Sequence, residues 1–325
     1  MLYNVKAGII GLEDLGKQFA QLVNDHVKNL NLIAACGRTQ NELLFAKNDL
    51  SLEYVYSDEK SLFENHDIDI IFVCSQAHLR PHQAIQAIEA GKHVYILSPT
   101  ALNVEDAQAI FKAANSKPSQ RVMVNSKVKF TPLFQKLKET IDTKAIGKVR
   151  HLSMDSTLIK SMDKQFNQPS GSVFLDNTLD EIELCLWLVD QLFSSANVKT
   201  HGDMLICQAE FANESTLDLI LLPKSKNKES YLTIYGDKGQ VVLSNKLDRS
   251  FHIINNEGER REVSIDEHHK FLHAEYLQLN HFVNVIMGKE KFNQKLSTSV
   301  STMKLALAFE KSKVLDEKIV VEKDG

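Results

Sequence analysis

Residues 5–16 read Val-Lys-Ala-Gly-Ile-Ile-Gly-Leu-Glu-Asp-Leu-Gly, and this stretch decides the fold of the N-terminal half. The apolar run Val5–Ile10 ends at Gly11 and predicts a short buried strand. Between residues 15 and 28 apolar side chains recur at helical spacing, so the strand leads directly into a helix. A strand, a glycine turn and a helix in immediate succession are typical of the start of a β–α–β unit.

The same alternation continues to residue 124. Further strands are predicted at 30–36, 54–56, 69–74, 93–97 and 121–124, and further helices at 42–47, 81–90 and 104–115. Strands that alternate with helices indicate a parallel sheet, and right-handed crossovers place helices on both of its faces. We therefore predict an α/β domain over residues 1–124, with a Rossmann-like doubly wound parallel sheet.

After residue 125 the pattern changes. Extended runs are predicted at 148–159, 204–211, 216–222, 231–235 and 240–244, and helices at 132–141, 174–192, 271–287 and 297–315. Residues 236–239 (Gly-Asp-Lys-Gly) separate the last two extended runs and predict a hairpin. Strands in sequence with helices at the ends indicate an α+β domain with a mostly antiparallel open sheet, which we assign to residues 125–325.

Composition narrows the function classes. The 325 residues are 43% hydrophobic and 25% charged, with a net charge of −4 and both signs interleaved. Without a basic stripe we expect neither a nucleic acid nor a membrane surface as a partner, and no apolar run reaches the roughly 20 residues of a membrane span. The four cysteines lie in separate apolar runs, which predicts buried free thiols and a reducing compartment. Because the chain goes straight into a strand and leaves no room for a signal peptide, we expect a cytoplasmic protein.

Five local motifs carry a resemblance to a known family. They are Ala7-Gly8-Ile9-Ile10-Gly11, Asp67-Ile68-Asp69-Ile70, Ala87-Ile88-Glu89-Ala90-Gly91-Lys92-His93-Val94, Tyr235-Gly236-Asp237-Lys238-Gly239 and His281-Phe282-Val283-Asn284-Val285-Ile286. In this order they resemble the glucose–fructose oxidoreductase/inositol dehydrogenase (Gfo/Idh/MocA) family over nearly the whole chain. The resemblance implies an NAD(P)-binding first domain and a small-molecule, sugar-like ligand. It also implies a second-domain sheet that supports substrate and subunit contacts, in a homodimer or homotetramer.

The phosphate loop departs from the dinucleotide fingerprint G-x-G-x-x-G, whose glycines let the backbone approach a pyrophosphate at a helix N-terminus. Gly11 and Gly16 are present, but Glu13 replaces the middle glycine and Asp14 follows it. A unit charge about 4 Å from a phosphate costs roughly 4 kcal/mol at a surface-like dielectric constant. Glu13 either opposes phosphate in this way or turns outward and avoids most of the cost. In a third interpretation both acids complement the helix dipole beside an empty loop.

The end of the second strand bears on the choice of cofactor. Arg38 and Thr39 stand after Gly37, where NAD-using relatives place an acidic residue. An arginine and a hydroxyl suit a 2′-phosphate, so any cofactor bound is expected to be NADP rather than NAD. Two alternatives stay open: Arg38 is a surface residue that begins a helix, or the protein binds no cofactor. Ser75 and Pro99 complete the predicted cofactor contacts.

The positions that the resemblance assigns to chemistry are largely replaced. Near the nicotinamide ribose the family carries an Asn and, three residues later, a His, where this chain has Ala77 and Arg80. After the fifth strand the family reads Glu-Lys-Pro, with the Lys as an acid/base candidate; here Ser98 replaces the Lys, and its hydroxyl is no proton donor near neutral pH. In the second domain the family runs Asp, three residues, then His, after a glycine-rich stretch (here 170–172). Asp176 fits this pattern, and Asp180 takes the place of the His.

The two aspartates allow three interpretations. On a continuous helix over 174–192, Asp176 and Asp180 share one face. Asp180 is then a base whose pKa its like-charged neighbour raises, or the pair joins Glu183 around a divalent cation. The third interpretation is that acids early in a helix simply favour its positive end.

These replacements predict a Gfo/Idh/MocA homologue that has lost ordinary dehydrogenase activity. One alternative is an active NADP-dependent oxidoreductase in which Asp180 or a displaced lysine (Lys92, Lys127 or Lys129) moves the proton. The other is a regulatory or binding subunit of an active paralogue. A positioned acid/base group is typically worth about 10²- to 10⁴-fold in rate, so the loss of both partners should cripple the reaction.

Overall fold

The computed structural model describes residues 4–157, 172–222, 231–244, 249–265 and 274–321. The chain forms two compact units, the first made of Met1–Lys127 and His273–Val300 and the second of Val128–Leu272 and Ser301–Gly325. The expected second domain comprised all residues after 124. The segment His273–Val300 differs from that assignment, because it returns to the first unit.

The first unit is built on six strands. They are β1 (Val5–Ile10), β2 (Leu30–Cys36), β3 (Tyr54–Tyr56), β4 (Ile70–Val73), β5 (His93–Ile96) and β6 (Val122–Val124). Their order in the sheet is β3-β2-β1-β4-β5-β6, and every neighbouring pair is parallel. All four residues of β4 are buried, as expected for a strand that is covered on both faces. The predicted doubly wound parallel sheet is confirmed.

Helices connect these strands. They are α1 (Asp14–His26), α2 (Gln40–Leu44), α3 (Glu59–Glu64), α4 (Arg80–Glu89) and α5 (Val104–Ser116), and a π-helical turn (Phe45–Asp49) continues α2. Asn103 caps α5, since its Oδ1 accepts the Asp106 N–H at 2.8 Å. The short helix α3 was not predicted, although Asp58 caps it by accepting the Ser61 N–H at 2.8 Å.

The returning segment binds the edge of the parallel sheet. Its helix α10 (Ala274–Ile286) carries Gln278, which is fully buried. Gln278 Oε1 accepts the Tyr95 hydroxyl and the Ser126 N–H, both at 3.0 Å, and Gln278 Nε2 donates to the Val124 carbonyl at 2.7 Å. These bonds explain why the segment belongs with the first unit.

The second unit contains a mixed nine-stranded sheet. Its strands are β7 (Val149–Thr157), β8 (Phe193–His201), β9 (Met204–Phe211), β10 (Thr216–Leu222), β11 (Tyr231–Gly236), β12 (Gly239–Leu243), β13 (Ser250–Asn255), β14 (Arg260–Ser264) and β15 (Ile319–Val320). The order is β14-β13-β12-β11-β7-β10-β9-β8-β15, in which only β7 and β10 pair in parallel. The mostly antiparallel sheet is thus confirmed. The strands β8, β13, β14 and β15 were not predicted, because polar residues or short length obscure their alternation.

The hairpin between β11 and β12 packs on the chain that enters β7. A Cβ at Gly236 would lie 2.0 Å from the Ile146 carbonyl oxygen, so a side chain has no room there. Asp237 Oδ1 accepts the Lys148 N–H at 2.9 Å and fixes the loop. The predicted hairpin is confirmed, and close approach of two backbones accounts for its first glycine.

The predicted helix over 174–192 is wrong as one element. The remaining helices are α6 (Lys127–Phe130), α7 (Pro132–Asp142), α8 (Val173–Asn177), α9 (Leu179–Val189) and α11 (Leu296–Leu315). Thr178 separates α8 from α9 with φ −128° and ψ 3°, and its hydroxyl donates to the Phe174 carbonyl at 2.8 Å. Asp176 and Asp180 therefore lie on different helices and do not share one helix face.

Two further expectations concern cysteines and membrane spans. All four cysteines are free and buried, as predicted, and burial raises the pKa of the Cys36 thiol to about 12. Within the described ranges, no helix has both the length and the apolar character that crossing a bilayer requires.

Candidate functional site

A small cleft opens at the carboxyl ends of β1, β2 and β4. The sheet order reverses between β1 and β4, and ligands of doubly wound sheets bind at such a reversal. The cleft is lined by Ile10, Gly11, Glu13, Cys36, Arg38, Glu42, Glu59, Ser75, Leu79 and Gln83. The fold thus brings together four of the predicted cofactor residues: Gly11, Glu13, Arg38 and Ser75.

The two glycines that the loop keeps are required by the chain's own packing. Gly11 has φ +88°, and a Cβ there would lie 2.3 Å from the Ser75 backbone nitrogen. A Cβ at Gly16 would lie 1.8 Å from the Gly11 carbonyl oxygen. Both positions would need glycine whether or not a ligand bound, so their presence is not a sign of a cofactor.

Glu13 is directed across the loop. Its Oε1 accepts a hydrogen bond from Gln76 Nε2 at 2.7 Å, which joins the β1–α1 turn to the β4–α4 loop. The Glu13 side chain makes no capping bond to α1, so its role is not to cap that helix. Sequence reasoning missed Gln76, because nothing local marks it as a neighbour of a residue 63 positions away.

Arg38 and Thr39 are both engaged within the protein. Arg38 Nη2 lies 3.6 Å from Glu59 Oε1, and the Arg38 backbone N–H donates to Glu42 Oε2 at 2.8 Å. Thr39 Oγ1 accepts the Glu42 N–H at 3.3 Å and caps α2. The guanidinium that was predicted to hold a 2′-phosphate therefore already has an acidic partner, and Thr39 has a structural role.

Gln83 fixes the opposite wall of the cleft. Its Nε2 donates to Glu59 Oε1 at 2.8 Å, and its Oε1 accepts the hydroxyl of Ser75. Ser75, a predicted cofactor contact, thus directs its hydroxyl into the wall. The acids Glu42 and Glu59 were not found from sequence, since they lie on helices that were misplaced or not predicted.

Arg80 lies below this loop and is only 5% exposed. Its Nε donates to the Ser75 carbonyl at 2.6 Å, and its Nη1 donates to the carbonyls of Leu97 at 3.2 Å and Pro99 at 2.7 Å. Burial lowers the pKa of Arg80 to about 10, and the negative charge of Glu13 opposes part of that shift. Arg80 joins the end of β4 to the end of β5 and remains a cation at neutral pH.

The predicted catalytic position after β5 holds an exposed hydroxyl. Ser98 is exposed and precedes Pro99 through a cis peptide bond. Lys92, one of the suggested replacements, lies at the start of β5 rather than its end. Its Nζ donates to the carbonyls of Asn65 at 2.6 Å and Ile68 at 2.9 Å, which is a structural role.

The other two candidate lysines form ion pairs. Lys127 Nζ lies 2.6 Å from Glu275 Oε1 in the first unit. In the second unit Lys129 Nζ lies 2.9 Å from Glu183 Oε1, and both side chains are about nine-tenths buried. Each of the three lysines proposed as a displaced acid/base therefore has a partner within the protein.

The two aspartates lie in the second unit. Asp176 is half-buried on α8, and Asp180 is exposed in the first turn of α9. The suggested cation site with Glu183 does not form: the described residues contain no group of three His, Cys, Asp or Glu side chains placed to hold a metal ion. Most of the glycine-rich stretch that precedes them, residues 170–171, lies outside the described residues.

Comparison with known proteins agrees with this architecture. Residues 5–126 match the Gfo/Idh/MocA family model, described as an oxidoreductase family with an NAD-binding Rossmann fold. The myo-inositol 2-dehydrogenase of Thermotoga maritima is 22% identical over 335 residues, which cover 97% of both chains. Residues 5–126 therefore match the NAD-binding Rossmann domain of the Gfo/Idh/MocA family. Only the first unit's core is matched by the family model itself.

Solved structures of Gfo/Idh/MocA proteins share the fold over the whole chain. The myo-inositol 2-dehydrogenase of Lactobacillus plantarum has a TM-score of 0.82 at 22% identity, with 98% of this chain and 100% of that chain covered. The scyllo-inositol dehydrogenase of Lactobacillus casei, solved with NAD(H) and scyllo-inositol, has a TM-score of 0.82 at 20% identity, with 98% and 99% covered.

The cleft of this chain does not fit the dinucleotide that the family description names. Glu13 occupies the loop position where a glycine lets the backbone approach a pyrophosphate. Three carboxylates line the cleft against one guanidinium, and its free volume of about 10 Å³ is room for about one water molecule.

Proposed function

We propose that this protein is a polyol- or sugar-binding Gfo/Idh/MocA homologue that does not catalyse nicotinamide-linked dehydrogenation. The observation that carries the proposal is the state of the acid/base positions. Ser98 and Asp180 replace the Lys and His of the family, and Lys92, Lys127 and Lys129 are all held by structural partners.

The chemical argument is about the proton. Oxidation of a secondary alcohol removes a hydride and a proton, so a group must accept the hydroxyl proton as the hydride leaves. Ser98 offers a neutral hydroxyl, and Asp180 lies exposed in the first turn of α9. Each missing acid/base group costs about 10²- to 10⁴-fold in rate.

The ligand class rests on the relatives. The curated and solved relatives include proteins named for myo-inositol, scyllo-inositol and levoglucosan, all of which are polyhydroxylated rings. The match covers 97–98% of this chain, so the second unit of those proteins has its counterpart here. A neutral polyhydroxylated ligand is accordingly the class that this proposal assigns.

A turnover screen tests the proposal. The purified protein should reduce neither NAD nor NADP above background with a panel of inositols, aldoses and anhydrosugars, measured as nicotinamide absorbance. Ser98→Lys combined with Asp180→His restores the family residues and is the matched comparison, with melting temperature as the check on folding. Turnover by the unmodified protein at ordinary enzymatic rates, about 1 to 10³ per second, would overturn the proposal.

A second candidate is an active oxidoreductase with a rearranged proton pathway. The buried Lys129–Glu183 pair favours it, because Glu183 lies one helical turn beyond Asp180 on α9 and brings an ammonium group near that turn. This candidate requires measurable activity that Asp180→Ala abolishes. Retention of the full rate by that variant would exclude Asp180 as the base.

A further inference from the structure

The cofactor cleft departs from the glycine fingerprint, and this departure is independent of the acid/base positions. Within the first unit, Glu13 is the only position of the glycine fingerprint that has been replaced, and its backbone is extended, with φ −74° and ψ −178°. Any residue adopts that conformation, so the chain does not need a glycine at position 13. In the fingerprint, the middle glycine serves the approach of the pyrophosphate alone.

The partner of Glu13 is held in place by the core. Gln76 follows Ser75, whose carbonyl is bound by the buried guanidinium of Arg80 and whose hydroxyl is bound by Gln83. The loop that presents Gln76 is therefore fixed, and its side chain reaches 2.7 Å from Glu13 Oε1. We call this contact the Glu13–Gln76 bridge. It ties the exposed carboxylate of Glu13 to the β4–α4 loop.

The negative charge of the cleft also opposes the binding of a phosphate group. Glu42 is 8% exposed and, with Glu59, faces the space beside Arg38. The Arg38 guanidinium is shared between its ion pair with Glu59 and the cleft. Even with Arg80 below the loop, two guanidinium groups stand against three carboxylates. A pyrophosphate, and still more a 2′-phosphate, would add negative charge to an already acidic cleft.

From these observations we propose that Glu13, held by Gln76, excludes dinucleotides from the first unit, so that the family's cofactor cleft no longer binds NAD or NADP. The inference goes beyond the proposed function, which concerns proton transfer. Removal of one side chain, with no change to the fold, should reopen the loop. The exposed hydrogen bond from Gln76 contributes little to this loss of dinucleotide affinity, and the negative charge of Glu13 contributes most.

Titration with NADH and NADPH tests this, with nicotinamide fluorescence and melting temperature as readouts. The unmodified protein should show no saturable binding up to about 1 mM, the upper end of ordinary Michaelis constants. Glu13→Gly should bind NADH about a hundredfold more tightly or better, because the charge effect of up to roughly a thousandfold is partly screened by solvent.

Three further variants separate charge, bulk and general effects. Glu13→Gln keeps the bond from Gln76 and removes the charge, so it should recover most of the gain. Gln76→Ala should recover little of it. Glu105→Gln removes one charge from the first turn of α5 and should have no effect. Tight NADH binding by the unmodified protein, or a folded Glu13→Gly variant without any gain in NADH affinity, would overturn the inference. Neither result decides whether the protein turns over polyols, which the turnover screen measures separately.

Discussion

Arg80 shows how a single replacement can be absorbed by the fold. The family carries a His at this position by the resemblance, and here a guanidinium takes its place inside the protein. Its donors satisfy the buried carbonyls of Ser75 and Leu97 and the partly buried carbonyl of Pro99. No carboxylate of the described residues lies within ion-pair distance of it, so its bonds are to neutral carbonyl groups.

Arg80→Met should destabilise the protein by about 3 kcal/mol. The change leaves three carbonyls without donors at about 1–3 kcal/mol each, offset in part by relief of a buried charge. Arg80→Lys should not rescue it, because one ammonium cannot reproduce the planar fork. Urea unfolding of these variants provides the measurement, with exposed Arg121→Met as the control within about 0.5 kcal/mol. An Arg80→Met variant as stable as the control would show that the three bonds contribute little.

At the residue scale, sequence patterns found the altered positions but not their partners. Glu13, Ser98 and Asp180 were found because each breaks a motif whose spacing is local. Gln76 and Glu59 belong to no motif, and their roles depend on side chains that meet across the cleft. The ion pair of Arg38 was missed for the same reason, since Glu59 is 21 residues further along the chain.

Strand β5 illustrates how one element depends on a titrating side chain. His93 opens the strand, and its Nδ1 accepts the N–H of Arg121 at 2.9 Å, which extends the pairing of β5 with β6 by one position. Burial lowers the pKa of His93; the charge of Asp69 opposes this shift and that of Arg121 adds to it. The folded protein therefore favours the neutral imidazole as an acceptor.

The free energy of unfolding should consequently fall as pH drops below the ordinary histidine pKa of about 6.5. In that range the histidine of the unfolded chain takes up a proton, whereas His93 in the folded protein stays neutral. The contribution of neutral His93 to the free energy of unfolding is therefore complete above about pH 6.5 and is lost as the pH falls toward the lowered pKa of the folded state. His93→Asn retains an acceptor and does not titrate, so it should lose less stability between about pH 7 and 5.5. Equal pH dependence of the two proteins would contradict this, and exposed His201→Asn serves as the control.

Elements were predicted well where periodicity is strong and poorly where it is weak. The buried strands β1, β2 and β4 are continuous apolar runs, and the cap at Asn103 is a local hydrogen bond. The break at Thr178 was missed, because the apolar spacing continues through it and only the backbone angles of Thr178 mark the end of α8. That break matters for function, since it separates Asp176 from Asp180.

The whole molecule depends on a segment that leaves the first unit and returns to it. Gln294 accepts the Val124 N–H at 2.9 Å and donates to the Val124 carbonyl at 2.8 Å, as a neighbouring strand would. Gln278 binds the same carbonyl from α10. The edge of the parallel sheet is therefore closed by two side-chain amides rather than by a seventh strand.

Gln278→Leu should lower the stability of the first unit by about 3 kcal/mol, because it strips buried donors and acceptors of Tyr95, Ser126 and Val124. Hydrogen exchange is the discriminating measurement. Amides of β5 and β6 should exchange faster, whereas those of β9 in the second unit should not change. Faster exchange in both units to the same extent would show that the two unfold together. Gln208→Leu, on the exposed face of β9, is the matched control.

The sequence by itself determined the two kinds of sheet and the glycine turn after β1, and it predicts that Ser98 and Asp180 replace the family's Lys and His. Each of these is written in residues that are close along the chain, where spacing and side-chain chemistry act directly. Only the tertiary structure decided that Glu13 meets Gln76, that Arg80 holds the ends of two strands, and that residues 273–300 complete the first unit. Most of those contacts join residues 17 to 183 positions apart, and the order of strands in the sheet, not local pattern, sets which of them become neighbours.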